Sequence, residues 1–400
     1  MAPSRIPRSV SIPRTVWALG VVSLLMDISS ESIHALLPLF LTTTLGVSVA
    51  LVGLIDGVAE SAAAITKVFS GYLSDKTGRR KPLILIGYGL GALTKPLFAI
   101  AGGPLVVFGA RFADRIGKGL RGAPRDALVA DVTPPTILGR AFGLRQALDT
   151  VGAFVGPLLA IALMAMFAND MRAVFWAAAV PAALAVVCVL LGVEDRTVDK
   201  DVAATRPPIR LRDLTHLERP FRIVVMIGVV FTLARFSEAF LVLKANADGL
   251  PLALTPLVLV VMNIVYALGA YPAGVLSDRV GPIVLLFSGL AVLIGADLAL
   301  ALLPGLGGAF AGIVLWGAHM ALTQGLLAKL VAATAPEGLR GSAFGVFNLA
   351  TGIALLFASV VAGLLWDRLG PSATFLAGAG FSLAAAVLVT SFRATITRHM

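Results

Sequence analysis

Twelve apolar segments, each long enough to cross a lipid bilayer as one helix, recur along this 400-residue chain. About 20 apolar residues in a helix span the roughly 30 Å hydrocarbon core. The segments cover 16–45, 50–73, 82–101, 104–131, 139–167, 173–192, 221–246, 252–275, 282–303, 307–333, 341–366 and 371–392. This pattern predicts an all-α membrane protein of twelve transmembrane helices.

The composition excludes an ordinary soluble protein. Hydrophobic residues make up 58% of the chain and charged residues 14%, against about 25% charged residues in soluble domains. The single cysteine, Cys188, lies in an apolar run and excludes an intrachain disulfide or a thiolate metal cluster. We therefore expect neither a metal site nor a cofactor.

Basic residues indicate the orientation in the membrane. They concentrate in the N-terminus, the even-numbered loops and the C-terminus, and the odd-numbered loops hold only Arg172, Lys244 and Arg368. The positive-inside rule then predicts a multi-pass protein of the inner (plasma) membrane with both termini in the cytoplasm. Because topology accounts for most of the net charge of +10, we expect no nucleic-acid partner.

The chain divides into two similar halves. We predict an N-terminal six-helix bundle over 1–192, a charged, proline-containing linker over 193–220 and a C-terminal six-helix bundle over 221–400. Ser30-Glu31 recurs as Ser237-Glu238, and GYLSDKTG at 71–78 recurs as GVLSDRVG at 274–281, both about 200 residues later. These matches indicate an internal duplication, and duplicated transporters bind substrate between their repeats near the bilayer midplane.

The loop sequence GYLSDKTGRRK, at 71–81, closely resembles the signature loop of the major facilitator superfamily. The resemblance implies the fold of that superfamily: two pseudo-symmetric bundles that expose a central site to each side of the membrane in turn. It also implies a cytoplasmic gate, to which we assign Gly71, Asp75, Gly78, Arg79, Arg80, Asp126, Gly274, Asp278 and Gly281. Gly78 permits a tight turn there. The alternative is that the basic cluster only sets the topology.

A second motif bears on the direction of transport. Gly152, Gly156 and Pro157 in the fifth segment resemble the G-x-x-x-G-P motif of superfamily antiporters, which implies efflux. The family pattern continues with two further glycines where this chain has Ala160 and Ile161. Small residues four apart also serve plain helix packing, so that alternative stays open.

Charged side chains lie inside the predicted helices on narrow stripes. Asp27, Glu31 and His34 share one face of the first segment, and Asp56 and Glu60 share one face of the second. Lipid cannot solvate such stripes, so we expect them to face the central cavity or a neighbouring helix. Burial favours the neutral form of a carboxylate, which makes the four acids candidates for proton coupling. The alternative is a set of static ion pairs.

Further charged candidates lie in the fifth and seventh segments. We add Arg145 and Asp149 from the fifth segment and Arg235 and Glu238 from the seventh to the cavity residues. His319, in the tenth segment, is a polar residue that could face the cavity from the second half.

The fourth segment carries five basic residues within an arc of about 120° of a helix: Arg111, Arg115, Lys118, Arg121 and Arg125. Its G-x-G-x-x-G pattern lacks the strand that a nucleotide-binding turn follows, so we exclude that function. Superfamily members often carry a basic residue here, and either Arg111 or Arg115 fits. We place Arg111, Arg115 and Lys118 in the cavity.

The end of the fourth segment carries further charges. Arg125, Asp126 and Asp131 lie near the predicted cytoplasmic end of the helix, where we expect them to pair with the loop at 75–81.

These features predict a secondary transporter, with proton-coupled efflux of a small organic molecule or ion as the leading function. An importer, symporter or uniporter of a small solute, including an anionic one, is the alternative. H-E-x-x-H and G-x-S-x-G motifs are absent from the sequence, so we do not expect an enzyme. The expected partners are a small-molecule substrate, protons and the lipid bilayer, with the protein acting as a monomer.

Overall fold

A computed structural model of the protein describes residues 11–195, 219–280, 282–323, 326–334 and 340–392. All of the regular secondary structure among these residues is helical, as predicted. The main helices are α1 (Arg14–His34), α2 (Val49–Thr77), α3 (Lys81–Ile100), α4 (Pro104–Val132), α5 (Leu138–Met166), α6 (Met171–Gly192), α7 (Arg219–Leu233), α8 (Ala239–Ala247), α9 (Leu257–Val280), α10 (Pro282–Leu302), α11 (Gly305–Thr323), α12 (Leu326–Thr334), α13 (Arg340–Leu369) and α14 (Pro371–Ser391).

Ten of the predicted segments are long and apolar enough to cross a membrane, counted over the described residues. The fourth and seventh segments differ from the rest. Helix α4 has the length but carries too many charges, and the seventh segment is broken between Leu233 and Ala239 into α7 and α8. The membrane fold is thus confirmed, whereas the full count of twelve crossings stays a prediction for these two segments.

Local sequence explains where the helices of the signature region begin and end. The Ser48 hydroxyl accepts a hydrogen bond from the backbone N–H of Leu51 and caps the start of α2. At the other end Gly78 adopts a left-handed conformation, with φ of 64°, and its N–H donates to the carbonyl of Ser74. A glycine is favoured in that conformation because it lacks a Cβ, so the predicted tight turn is confirmed.

The bundle has two ends, which lie on opposite sides of the membrane. The linker side carries residues 78–80, 133–137 and 193–195, where Lys81 Nζ lies 3.1 Å from the carbonyl oxygen of Leu190. The opposite side carries residues 101–103 and 167–170, where Arg172 donates to the carbonyl of Ala99. The first half means residues 11–195, and the second half means residues 219–392.

Three apolar clusters form the interior. One lies within the first half and one within the second half. The third joins the two halves and includes Leu36 and Phe40 from the first half, and Phe236 and Phe240 from the second. Apolar packing between the two halves near the end of α1 therefore closes the opposite side of the protein.

Helices α2 and α13 approach each other closely across the two halves. A Cβ atom added to Gly53 would meet the carbonyl oxygen of Ser359, and one added to Gly363 would lie 2.6 Å from the Cα of Ala50. The hydroxyl of Ser61 donates to the carbonyl of Gly352, 2.6 Å away. All of these contacts involve residues 50–61, in the part of α2 nearer the opposite side. The two halves are therefore closed together at that side.

An acidic side chain from the second half caps α2. The Asp367 carboxylate accepts hydrogen bonds from the backbone N–H groups of Val49 and Ala50, at 3.0 and 2.9 Å. A carboxylate is favoured at a helix N-terminus because unpaired N–H groups and the helix dipole both point at it. Asp367 thus adds a polar contact to the apolar closure of the opposite side.

Candidate functional site

A large cavity lies between the two halves, which are closed together at the opposite side. Its wide part, of about 890 Å³, includes Arg125, Asp126 and Gln146 toward the linker side. Its deep part, of about 440 Å³, reaches His34 and Trp316. The two parts are continuous because the same residues, among them Glu31, Glu60 and Lys118, line both.

The deep part has two chemically different walls. The first half contributes a charged wall: Glu31, His34, Glu60, Arg115 and Lys118. The second half contributes an aromatic wall: Phe231, Phe236, Trp316 and Phe347. Arg235 and Glu238, at the break between α7 and α8, add charges to that second wall. A molecule in this space meets ionic groups on one side and aromatic rings on the other.

The first two basic residues of α4 pair with the acids of α2. Arg111 Nε lies 3.1 Å from Asp56 Oδ1, and Arg115 Nε lies 2.9 Å from Glu60 Oε1. Both arginines are 2% exposed and Asp56 is 4% exposed. The static ion pairs that the sequence left open for Asp56 and Glu60 are therefore formed in this conformation. Arg115 reaches the deep cavity, whereas Arg111 lies outside the lining of both parts.

Asp56 also links the halves. Its Oδ2 accepts a hydrogen bond of 2.8 Å from the hydroxyl of Ser237, at the break between α7 and α8. The same carboxylate therefore binds a guanidinium of its own half and a hydroxyl of the other half. The break is held against α2 at this point.

Three charged side chains of the first half line the wide part of the cavity with few or no polar partners. Asp27 and Lys118 have no hydrogen-bond or ion-pair partner among the described residues, and Glu31 pairs only with Nδ1 of His34, at 3.5 Å. On the other wall Arg235 and Glu238 also lack such a partner within the described part of the chain. These side chains are available to bind a proton or a solute.

Charges nearer the linker side form a network between α4 and α5. Arg145 Nη1 lies 2.6 Å from Asp149 Oδ2, and Arg145 Nε lies 3.6 Å from Asp126 Oδ1. Arg125 lies 3.3 Å from Asp126 and donates to the hydroxyl of Ser23 on α1. The prediction that Arg125 and Asp126 pair with the signature loop is wrong, because both side chains turn toward the cavity side of α4, where α1 and α5 supply their partners.

The signature loop itself rests on α4 through Arg80. Arg80 Nε donates to Asp131 at 3.1 Å, as predicted for Asp131, and its Nη1 donates to Ser74. Gly71 packs against Ala123 of α4, and Arg79 is exposed. Gly274 lies in α9. The side chains of Asp75 and Asp278, and Gly281 as a whole, lie outside the described residues.

The antiporter-like motif packs against α1. Gly152 and Gly156 lie against the backbone of α1 beside Asp27 and Glu31. Pro157 follows inside α5 and withholds the N–H that would otherwise bind the carbonyl of Ala153, a residue that lines both parts of the cavity.

Two contacts of buried polar side chains differ from what the sequence indicated. Lys95 Nζ lies 2.8 Å from Asp114 Oδ1 and 2.9 Å from the Ser30 hydroxyl. His319 does not face the cavity as expected: it is fully buried, and its Nδ1 contacts the carbonyl of Gly289 at 2.8 Å. Neither contact follows a fixed spacing, because each joins different helices.

Loss of the cap on α2 should loosen the closed side. Asp367→Ala removes a helix cap, which costs about 0.5–2 kcal/mol, and that cost falls only on the closed conformation. We expect faster labelling of a cavity cysteine by an impermeant maleimide added at the opposite side. The reporter is Ala153→Cys in a Cys188→Ser chain, since Ala153 lines the cavity.

Asp170→Ala is the matched control for this change. Asp170 caps α6 within the first half, so its loss weakens a helix without touching the closure. Equal labelling rates in the Asp367→Ala and parent chains would contradict a role of this cap in closure.

Comparison with known proteins agrees with this architecture. The profile of the Major Facilitator Superfamily matches residues 19–359 and 249–398. An uncharacterised MFS-type transporter of Methanocaldococcus jannaschii is 31% identical over 386 residues, covering 94% of each chain. The multidrug resistance protein MdtH of Edwardsiella ictaluri is 29% identical over 163 residues, covering 41% of this chain and 40% of that protein.

A solved structure shows the same fold. The crystal structure of the nucleoside transporter NupG superposes with a TM-score of 0.75 at 15% identity, covering 95% of this chain and 98% of the other. At that identity the likeness concerns the fold alone. The family match spans nearly the whole chain, and the protein is therefore a transporter of the major facilitator superfamily.

Proposed function

We propose that this transporter exports a small organic molecule or ion in exchange for protons, by alternating access of the central cavity. The observation that carries the proposal is a pair of cavity carboxylates, Asp27 and Glu31, without a lysine or arginine partner among the described residues. A carboxylate that is not held by a fixed cation can gain and lose a proton as the cavity changes sides.

Three further features support export. The cavity extends to the linker side, which the positive-inside rule assigns to the cytoplasm, so substrate enters from the cell interior in this conformation. The antiporter-like motif contacts α1 beside both carboxylates. The partial similarity to MdtH, a multidrug resistance protein by name, is in line with efflux.

The walls of the cavity indicate the kind of substrate. Ionic groups on the first-half wall and aromatic rings on the second-half wall suit a molecule with a polar end and an apolar body. We further propose that the protein works as a monomer in the inner membrane, with both termini in the cytoplasm.

Glu31→Gln tests the coupling. Purified protein in proteoliposomes with an internal pH-sensitive dye is exposed to a panel of organic cations, anions and neutral amphipaths under an imposed pH gradient. The wild-type protein should dissipate the gradient when a substrate is added, and Glu31→Gln should abolish this, because glutamine cannot carry a proton. Glu194→Gln, at an exposed position on the linker side, is the control.

The alternative functions give different results in the same assay. Solute flux that dissipates no pH gradient and survives Glu31→Gln would establish a uniporter. Proton movement in the same direction as the solute would establish a symporter. Either result would contradict the proposed exchange.

A further inference from the structure

The two motif glycines of α5 face α1 at its two acids. A Cβ atom at Gly152 would lie 2.9 Å from the Cβ of Asp27 and 2.8 Å from the carbonyl oxygen of Leu24. A Cβ atom at Gly156 would lie 2.9 Å from the Cβ of Glu31. Real Cβ atoms do not approach this closely. Helix α5 therefore fits here only because both positions are glycine.

The contacts repeat in register. Asp27 and Glu31 are four residues apart on α1, and Gly152 and Gly156 are four residues apart on α5. Both helices run from the linker side to the opposite side, so the two pairs stack one turn apart. The hydroxyl of Ser32, 2.8 Å from the carbonyl oxygen of Gly156, ties the same turn of α1 to α5.

We propose that Gly152 and Gly156 are positioning residues, which hold the carboxylates of Asp27 and Glu31 in the cavity where they exchange protons. The inference rests on the proposed function, since it assigns to the antiporter-like motif the task of placing the proton-carrying groups. Close contact at each Cβ blocks the side that faces α5 and leaves the cavity as the free direction. Both acids line the wide part of the cavity.

A shift of α5 would change the electrostatic surroundings of both acids together. The helices around α1 place several charged groups there. Those near Asp27 are Asp149 on α5, Lys118 and Arg121 on α4, and Glu31 on its own helix. Those near Glu31 are His34 on its own helix, Lys118 and Arg115 on α4, and Glu238 of the second half. Lys95 on α3 reaches α1 at Ser30, and α6 meets α1 through the carbonyl of Ala178. The proton affinity of each acid thus depends on the register between α1 and α5.

The test needs no known substrate. Dicyclohexylcarbodiimide modifies protonated carboxyl groups in membranes, and mass spectrometry of peptides reads each acid separately as a function of pH. In Gly152→Ala we expect the pH of half-maximal modification to move by about one unit or more at Asp27, with a smaller change at Glu31. In Gly156→Ala the larger change should fall on Glu31.

Gly139→Ala and Gly143→Ala are the matched controls. Both lie on the same helix, and an added Cβ meets no atom within 4 Å at either position. Ser32→Ala is the milder variant: it removes the hydrogen bond to Gly156 without adding volume, and it should move the midpoint of Glu31 alone.

Unchanged midpoints in Gly152→Ala, Gly156→Ala and Ser32→Ala would overturn the proposal, as would acids that stay unmodified at every pH in the wild-type protein. Its failure is distinct from failure of the exchange function. Shifted midpoints without substrate-driven proton flux would retain the positioning role and reject the exchange. Unshifted midpoints with flux that depends on Glu31 would retain the exchange and reject the positioning role.

Discussion

Lys95→Met is expected to lower the free energy of unfolding by about 3–5 kcal/mol, the usual cost of leaving one partner of a buried ion pair uncompensated. Lys95 is 1% exposed and Asp114 is 3% exposed, and the ammonium lies 2.8 Å from the carboxylate. Methionine matches the length of lysine but leaves the Asp114 carboxylate in the bundle without its ammonium. Unfolding by dodecyl sulfate in mixed micelles measures the loss.

The double variant Lys95→Met/Asp114→Asn separates charge from packing. Because it removes both charges together, it should recover most of the stability lost in Lys95→Met. A single variant that unfolds within about 0.5 kcal/mol of the wild-type protein would show that the pair contributes no more than an exposed salt bridge does.

Gly53→Leu should have the largest effect on conformation. A Cβ at this position already meets the Ser359 carbonyl of α13 and lies 3.2 Å from a ring carbon of Phe240. A leucine side chain therefore cannot be accommodated while α2 and α13 are closed together. We expect labelling of the Ala153→Cys reporter from the opposite side to rise at least about tenfold, which corresponds to a change of about 1.4 kcal/mol in the equilibrium.

Gly109→Leu is the control for Gly53→Leu, because an added Cβ at Gly109 meets nothing within 4 Å. Labelling of the reporter that stays unchanged in Gly53→Leu, in protein that remains folded, would mean that the α2–α13 contact does not close the opposite side.

The membrane fold and much of the cavity lining could be predicted from the sequence, for physical reasons. Apolar runs must be buried or face lipid, so segment boundaries follow from composition. Charges four residues apart share a helix face, which placed Asp27 and Glu31 together on the cavity. Gly78 could be placed in a turn because its left-handed backbone conformation favours glycine.

Contacts between distant helices could not be predicted in this way. Lys95 meets Asp114, Asp56 meets Ser237, and Asp367 meets the start of α2. Each pairing depends on the rotation and depth of two helices at once, and a single sequence gives no measure of either. The same reason explains why the partner predicted for Asp126 was wrong. Asp126 lies close enough to the end of α4 to contact either the signature loop or α5.

The cap that Asp367 places on α2 couples the fraying of one helix end to the opening of the transporter. The first two backbone amides of that helix find their acceptor on the other half of the chain. When the halves separate at that side, these amides lose the carboxylate acceptor and must hydrogen-bond to water instead. Fraying at the start of α2 and opening of the transporter are then one equilibrium. The hydrogen bonding of the first two amides of α2 therefore reports which side of the membrane the cavity faces.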